Sequence, residues 1–112
     1  MDRKLAFGIR LKAIRKSRKM SQEQFAELLD RSADSVSNVE CGRSFPPVET
    51  LLKLSEALNR PLGEIFAALD DTGATDPRRA RLEAEIAEKA RGLSLRDLKI
   101  VAKLIAAMEK AE

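Results

Sequence analysis

Apolar positions recur along this chain at spacings of three and four, without the alternation of a strand. From Arg3 to Lys19 the apolar set is Leu5, Phe7, Ile9, Leu11, Ala13 and Ile14, which predicts a first helix. Ser21 is followed by Gln22-Glu23-Gln24. It reads as an N-cap with a glutamine in the reciprocal capping-box position. Phe25, Ala26, Leu28 and Leu29 form the buried side of the helix it opens. Ser32 caps a third helix with Val36 and Val39 inward, and Gly42 supplies the left-handed residue that ends it. Beyond a loop, Arg43-Ser44-Phe45-Pro46-Pro47, a fourth helix runs from about Val48 to Leu58 with Leu51, Leu52, Leu54, Ala57 and Leu58 inward. Asn59 suits a left-handed cap, and Pro61 opens a short fifth helix through Ile65, Phe66 and Leu69.

Residues 70–77, Asp-Asp-Thr-Gly-Ala-Thr-Asp-Pro, break the periodicity and read as a linker. The expected organisation is therefore a domain over 1–69, a linker over 70–77 and a helical hairpin over 78–112. Leu82, Ile86 and Ala90 mark a sixth helix that stops near Gly92, and Ser94 with Asp97 resembles a capping box opening a seventh. Leu98, Val101, Ile105 and Met108 follow at steps of three, four and three, the spacing of a coiled-coil seam. Ile100, Leu104 and Ala107 form a second apolar edge beside it. A hairpin this short cannot bury both edges by itself, so it packs on the first domain, on a second copy, or on both.

Composition removes whole classes of chemistry. There is one cysteine and no histidine, which excludes an internal disulfide, a Cys/His zinc site and any histidine-based acid–base or nucleophile pair. No catalytic constellation, metal site or cofactor motif is apparent. Without Trp or Tyr, and with four Phe, the chain lacks the stacking platform of a single-strand reader. No apolar run is long enough for a membrane span, no secretory signal is apparent, and the cytoplasm is the expected location. The formal charge is only +3, yet eight basic residues and no acidic one lie between Arg3 and Lys19. A helix of that kind can lie along a phosphate backbone.

The residues of 7–66 resemble the lambda-repressor-like, xenobiotic-response-element (XRE) type helix-turn-helix family. The likeness rests on Ser21-Gln22-Glu23-Gln24-Phe25-Ala26, on Ser35-Val36-Ser37-Asn38-Val39-Glu40 with Gly42, and on Glu49-Thr50-Leu51-Leu52-Lys53-Leu54 with Ala57-Leu58 and Ile65-Phe66. The resemblance implies an all-α fold: a five-helix DNA-binding domain, here followed by the two-helix hairpin. It implies that Ala33, Asp34 and Asn38 face base edges, flanked by Ser32 and Ser37. Gln22 is then a phosphate contact that also supports a side chain of the third helix, and Arg43 a backbone contact. Arg15 and Glu40 match a partly buried salt bridge of some relatives; otherwise they are two exposed charges worth well under about 1 kcal/mol. Departures from the family pattern are Asp30 at a turn usually held by glycine, Pro47 in place of a serine cap, and Arg31 and Arg60 where aliphatic residues are common. The two arginines either pack their stems and turn their heads outward, or lie against DNA or the hairpin.

Asn38 is suited to a bidentate contact with adenine, worth about 1–3 kcal/mol of discrimination. Asp34 either accepts from cytosine N4 or serves the helix dipole. Ala33 either touches a thymine methyl or merely avoids a clash. Cys41, at the end of the third helix, is either a redox-sensitive position or incidental. Glu83, Glu85 and Glu88, interleaved with Arg79, Arg81, Lys89 and Arg91, read as a solvated helix face. The expected function is a sequence-specific regulator of double-stranded DNA, a repressor acting as a homodimer on a near-palindromic operator. Leu98, Val101, Ile105 and Met108 form its dimer or partner interface. The alternative is an antitoxin-like or antagonist-controlled regulator whose hairpin mainly binds another protein.

Overall fold

The structure, a computed structural model, describes residues 2–70 and 76–111, all helix or connection. Its helices are α1 (Arg3–Ser17), α2 (Gln22–Leu28), α3 (Ala33–Glu40), α4 (Val48–Leu58), α5 (Leu62–Asp70), α6 (Pro77–Arg91) and α7 (Leu95–Lys110). The expected linker falls largely on 71–75, and the side chain of Leu69 also lies outside the described residues. No described helix is long and apolar enough to cross a membrane.

Local chemistry sets the helix boundaries. The Ser21 hydroxyl accepts from the Gln24 backbone N–H, and the Gln24 side chain accepts from the Ser21 N–H, closing a full capping box. Ser32 accepts from Ser35 N–H and Ser94 from Asp97 N–H. Pro47 caps α4 with no side-chain bond, its φ of −62° already near the helical value. At their other ends α1 to α4 stop in one way. Lys19, Asp30, Gly42 and Asn59 each take a positive φ, between 53° and 78°. The N–H of the next residue reaches back five positions: Met20 to Arg15, Arg31 to Ala26, Arg43 to Asn38 and Arg60 to Ser55. These are Schellman closures, which satisfy carbonyls left open at a helix end. Asp30, Gly42 and Asn59 have the residue types such positions favour. Lys19 does not, which is why the first helix was expected to run to Lys19 and ends at Ser17.

The same motif explains the two unusual arginines. The residue after the left-handed position normally makes an apolar contact with the last turn of its helix, so an aliphatic side chain is common there. Arg31 and Arg60 occupy that place. Arg31 is exposed, with its head on the Ser35 hydroxyl at 3.0 Å, whereas Arg60 is buried.

Phe7, Leu11, Ile14, Phe25, Ala26, Leu29, Val36, Val39, Leu51, Leu54, Leu58 and Ile65 form one core shared by α1 to α5. Leu28, Leu52 and Phe66, expected inside, are exposed. On α2 the buried places go to Phe25 and Ala26, on α4 to Thr50, Leu51, Leu54 and Leu58, and on α5 to Ile65. Gly8 lets α1 approach α3 closely: a Cβ there would collide with the backbone carbonyls of Val39 and Glu40. A helical glycine normally costs about 1 kcal/mol relative to alanine, so its use here is steric.

The sixth helix does not use the face its apolar residues suggested. Ala84 and Glu88 are buried where α6 packs on α1, while Leu82 and Ile86 are more than half exposed. Arg60 is its receptor. Its Nη1 and Nη2 donate to Glu88 Oε1 and Oε2 at 2.7 and 2.6 Å, with both side chains about 95% buried. Glu88 is therefore no part of a solvated face, a correction that follows from a partner 28 residues away. Glu85 and Lys89 do form an exposed i,i+4 pair, at 2.9 Å. Arg91 pairs with Glu64, joining the end of α6 to α5. In contrast, α7 buries none of its residues and takes no part in the extensive helix–helix contacts.

Candidate nucleic-acid interface

The short helix α3 is held in place by an ion-pair network centred on Glu40. Arg15 of α1 donates from Nε to Glu40 Oε2 at 2.7 Å and from Nη2 to Oε1 at 3.1 Å. Its Nη1 donates to the Met20 carbonyl at 2.8 Å. Gln22, the first residue of α2, donates from Nε2 to Glu40 Oε1 at 3.1 Å. The Glu40 side chain is 2% exposed. One carboxylate thus ties α1, α2 and the last turn of α3 together, with its lone pairs occupied by charge-assisted bonds.

From this frame α3 projects two faces. Val36 and Val39 enter the core, and Asp34 and Asn38 are exposed on the other side. Ala33 and Ser37 are partly buried, and Ser32 is exposed while its hydroxyl is engaged as the cap. Asp34 lies in the first turn, where a negative charge complements the helix dipole. Arg43 and Asn38 are brought together: Arg43 Nε donates to Asn38 Oδ1 at 2.9 Å. That bond turns the Asn38 amide so that its NH₂ faces away from Arg43. The loop carrying Arg43 is anchored by Phe45, which stacks on Phe7 with ring centroids 5.0 Å apart.

Two cations of the basic run over 3–19 serve the fold. Arg15 is inside the Glu40 network, and Arg18 Nη2 donates to the Leu58 carbonyl at 3.0 Å, at the C-terminal end of α4. The basic run therefore offers fewer charges to a phosphate backbone than its count suggested. Cys41 is exposed at the end of α3. Sequence reasoning passed over Gly8 and Ser35. A glycine inside a strongly helical pattern was the available signal for the first, and a hydroxyl four residues from Arg31 for the second.

Away from this face, Arg60 holds the Glu88 carboxyl below its ordinary value through their hydrogen bonds, against the desolvation that opposes it. The same bonds raise Arg60. Arg60 Nε has no partner among the described residues. Among those residues, too, no carboxylates and cysteine gather as metal ligands would.

Known proteins resemble this chain in sequence. The helix-turn-helix family profile matches residues 11–65, from the middle of α1 into α5. The chain is 31% identical over 99 residues to the HTH-type transcriptional repressor RghR of Bacillus subtilis (strain 168), covering 86% of this chain and 73% of that protein. That alignment is too long to stop at α5. Over 70 residues it is 34% identical to the control protein C.MunI of a Mycoplasma species, covering 62% of this chain and 95% of that protein. With the capped α2 and α3 and the exposed face of α3, these likenesses have one reading: the chain belongs to the lambda-repressor-like, XRE-type helix-turn-helix family of DNA-binding transcriptional regulators.

Proposed function

We propose that the protein is a cytoplasmic homodimeric repressor that reads a near-palindromic operator with α3 and acts by occluding it. The observation that carries this reading is the opposition of faces on α3. Val36 and Val39 fix the helix, while Asp34 and Asn38 stand clear on the other side, with Arg43 bonded to Asn38 and Gln22 bonded to Glu40 at the end of the helix. Asn38 meets adenine, Ala33 and Asp34 meet neighbouring base edges, and Ser32 and Ser37 sit beside them. Gln22 and Arg43 meet phosphates and set the register. Few and short reading side chains leave part of the specificity to DNA shape.

The second copy is supplied by α7. Leu98, Ile105 and Met108 are exposed and Val101 is only partly buried, so the seam is unfilled in a single chain. In this reading residues 1–69 bind DNA, α6 is fastened to them by Arg60, and α7 makes the dimer. Two recognition helices then meet half-sites about one turn, roughly 34 Å, apart.

Selection of bound duplexes from a random pool, at stated salt, tests the reading. Enriched sequences should carry two inverted half-sites, and log affinity should fall with log salt by about 0.9 per phosphate neutralised. A single uninverted site, or an affinity insensitive to salt, would refute it. Truncation after Gly92 keeps Glu88 and should give a folded monomer. A full-length chain that is monomeric at every concentration would overturn the homodimer and assign α7 to a heterologous, antitoxin-like partnership.

A further inference from the structure

A cavity of about 580 Å³ lies between α1, the end of α3 and α6, away from Asn38 and Arg43. Leu5, Ile9 and Ala13 supply its apolar floor from one face of α1. Glu40 and Cys41 close one side, and α6 closes the other. All three carboxylates on the lining are already neutralised: Glu40 by Arg15, Glu88 by Arg60 and Glu85 by Lys89. Lys12, Lys16 and Arg81 also line it, and none has an ion-pair partner among the described residues. The cavity therefore combines an apolar floor with positive charge contributed from both α1 and α6. Its volume lies within the range of small-molecule sites, about 300–1,000 Å³.

We propose that this cavity binds a small amphipathic organic anion, with an apolar body against Leu5, Ile9 and Ala13 and an acidic head on Lys12, Lys16 and Arg81. A second copy's α7 is a poor occupant, because that helix is itself basic: Arg96, Lys99, Lys103 and Lys110 against Asp97 and Glu109. The seam of α7 and the cavity are thus separate surfaces with separate partners.

The test titrates the full-length protein with 8-anilinonaphthalene-1-sulfonate, an amphipathic anion whose fluorescence reports an apolar site. The expected result is saturable binding of one dye per chain, displaced by dodecanoate and not by dodecyltrimethylammonium. The double variant Lys12→Gln/Lys16→Gln changes only exposed side chains. It should keep the thermal midpoint and lose about ten- to a hundredfold in dye affinity, the scale of charge-assisted bonds. Ala13→Leu fills the floor and should abolish binding, with circular dichroism reporting the fold. Ile105→Glu, on α7, should leave the dye bound. Equal displacement by the cationic detergent, or an unchanged affinity in the lysine variant, overturns the proposal. So does loss of binding on Ile105→Glu, which would put the dye on α7.

Discussion

Removing the Glu88 carboxylate should cost this protein more than any surface charge, because it strands Arg60. The pair is bidentate, at 2.6 and 2.7 Å, and its side chains are 6% and 5% exposed. With charge centres about 4 Å apart and an effective dielectric of about 20, the attraction is about 4 kcal/mol. Deleting one partner of such a pair costs about 3–5 kcal/mol, most of it the uncompensated charge left behind. Arg60 has one escape, which is to rehydrate by undocking α6. The apolar contribution to that docking is small, since Ala84 is the one buried apolar residue of α6. Glu88→Ala should therefore lower unfolding free energy by about 3 kcal/mol in urea melts, or expose α6 first, seen as early loss of amide protection over residues 77–91. Replacing both residues with leucine should recover most of the loss, as apolar replacements of buried ion pairs do. A Glu88→Ala variant within about 0.5 kcal/mol of the parent, with α6 still protected, would refute the reasoning. Acid adds a second signature. The folded-state pKa of Glu88 is below its ordinary value of 4.5, so the unfolded chain binds the proton more readily. The stabilisation is then complete above about pH 4.5 and is lost as pH falls through the folded-state pKa. The stability gap between the parent and Glu88→Gln should hold from about pH 6 to 8 and shrink on acidification.

Gly8→Ala should destabilise by about 1–3 kcal/mol despite the better helix propensity of alanine, because the methyl group meets two carbonyls of α3. A higher melting temperature would contradict the close approach of α1 and α3. Arg15→Ala should cost about 3–5 kcal/mol by stranding Glu40, whereas Lys53→Ala, which breaks the exposed pair with Asp30, should cost less than about 1 kcal/mol. Paired urea melts decide this, and equal losses would sink the distinction. Asn38→Ala should keep stability within about 0.5 kcal/mol while relaxing discrimination at one base pair per half-site by about 1–3 kcal/mol. Competition binding with single-base operator variants reads it out, and a uniform loss across all variants would reassign Asn38 to a backbone role. Ile105→Glu should shift sedimentation from dimer to monomer without unfolding the chain. An unmoved dimer would place the interface elsewhere than α7.

Much of this molecule is local, and local chemistry is legible in a sequence. Ser21, Ser32 and Ser94 announce their helices because a side-chain oxygen two or three residues from open N–H groups has little else to do. Gly42, Asn59 and Asp30 announce helix ends because few residue types tolerate a positive φ. Lys19 gives no such signal, because it takes that conformation without belonging to those types. Only the family resemblance pairs Arg15 with Glu40, since no local rule links positions 25 apart. The exposed side of α3 followed from Val36 and Val39, because two buried residues one turn apart leave Asp34 and Asn38 on the far face.

What the chain determined alone was the number of helices and the serine caps of α2, α3 and α7, set by interactions spanning five residues or fewer, and, through its apolar spacing, the face α3 keeps free. The tertiary structure decided which faces meet. It put Gly8 under the carbonyls of α3, drew Arg15 and Arg18 out of a basic stripe into the fold, and turned Glu88 inward while Leu82 and Ile86 stayed out. The reason is electrostatic and long-range. A glutamate among arginines looks solvated until a buried guanidinium from a distant turn makes its burial favourable, and that guanidinium belongs to Arg60.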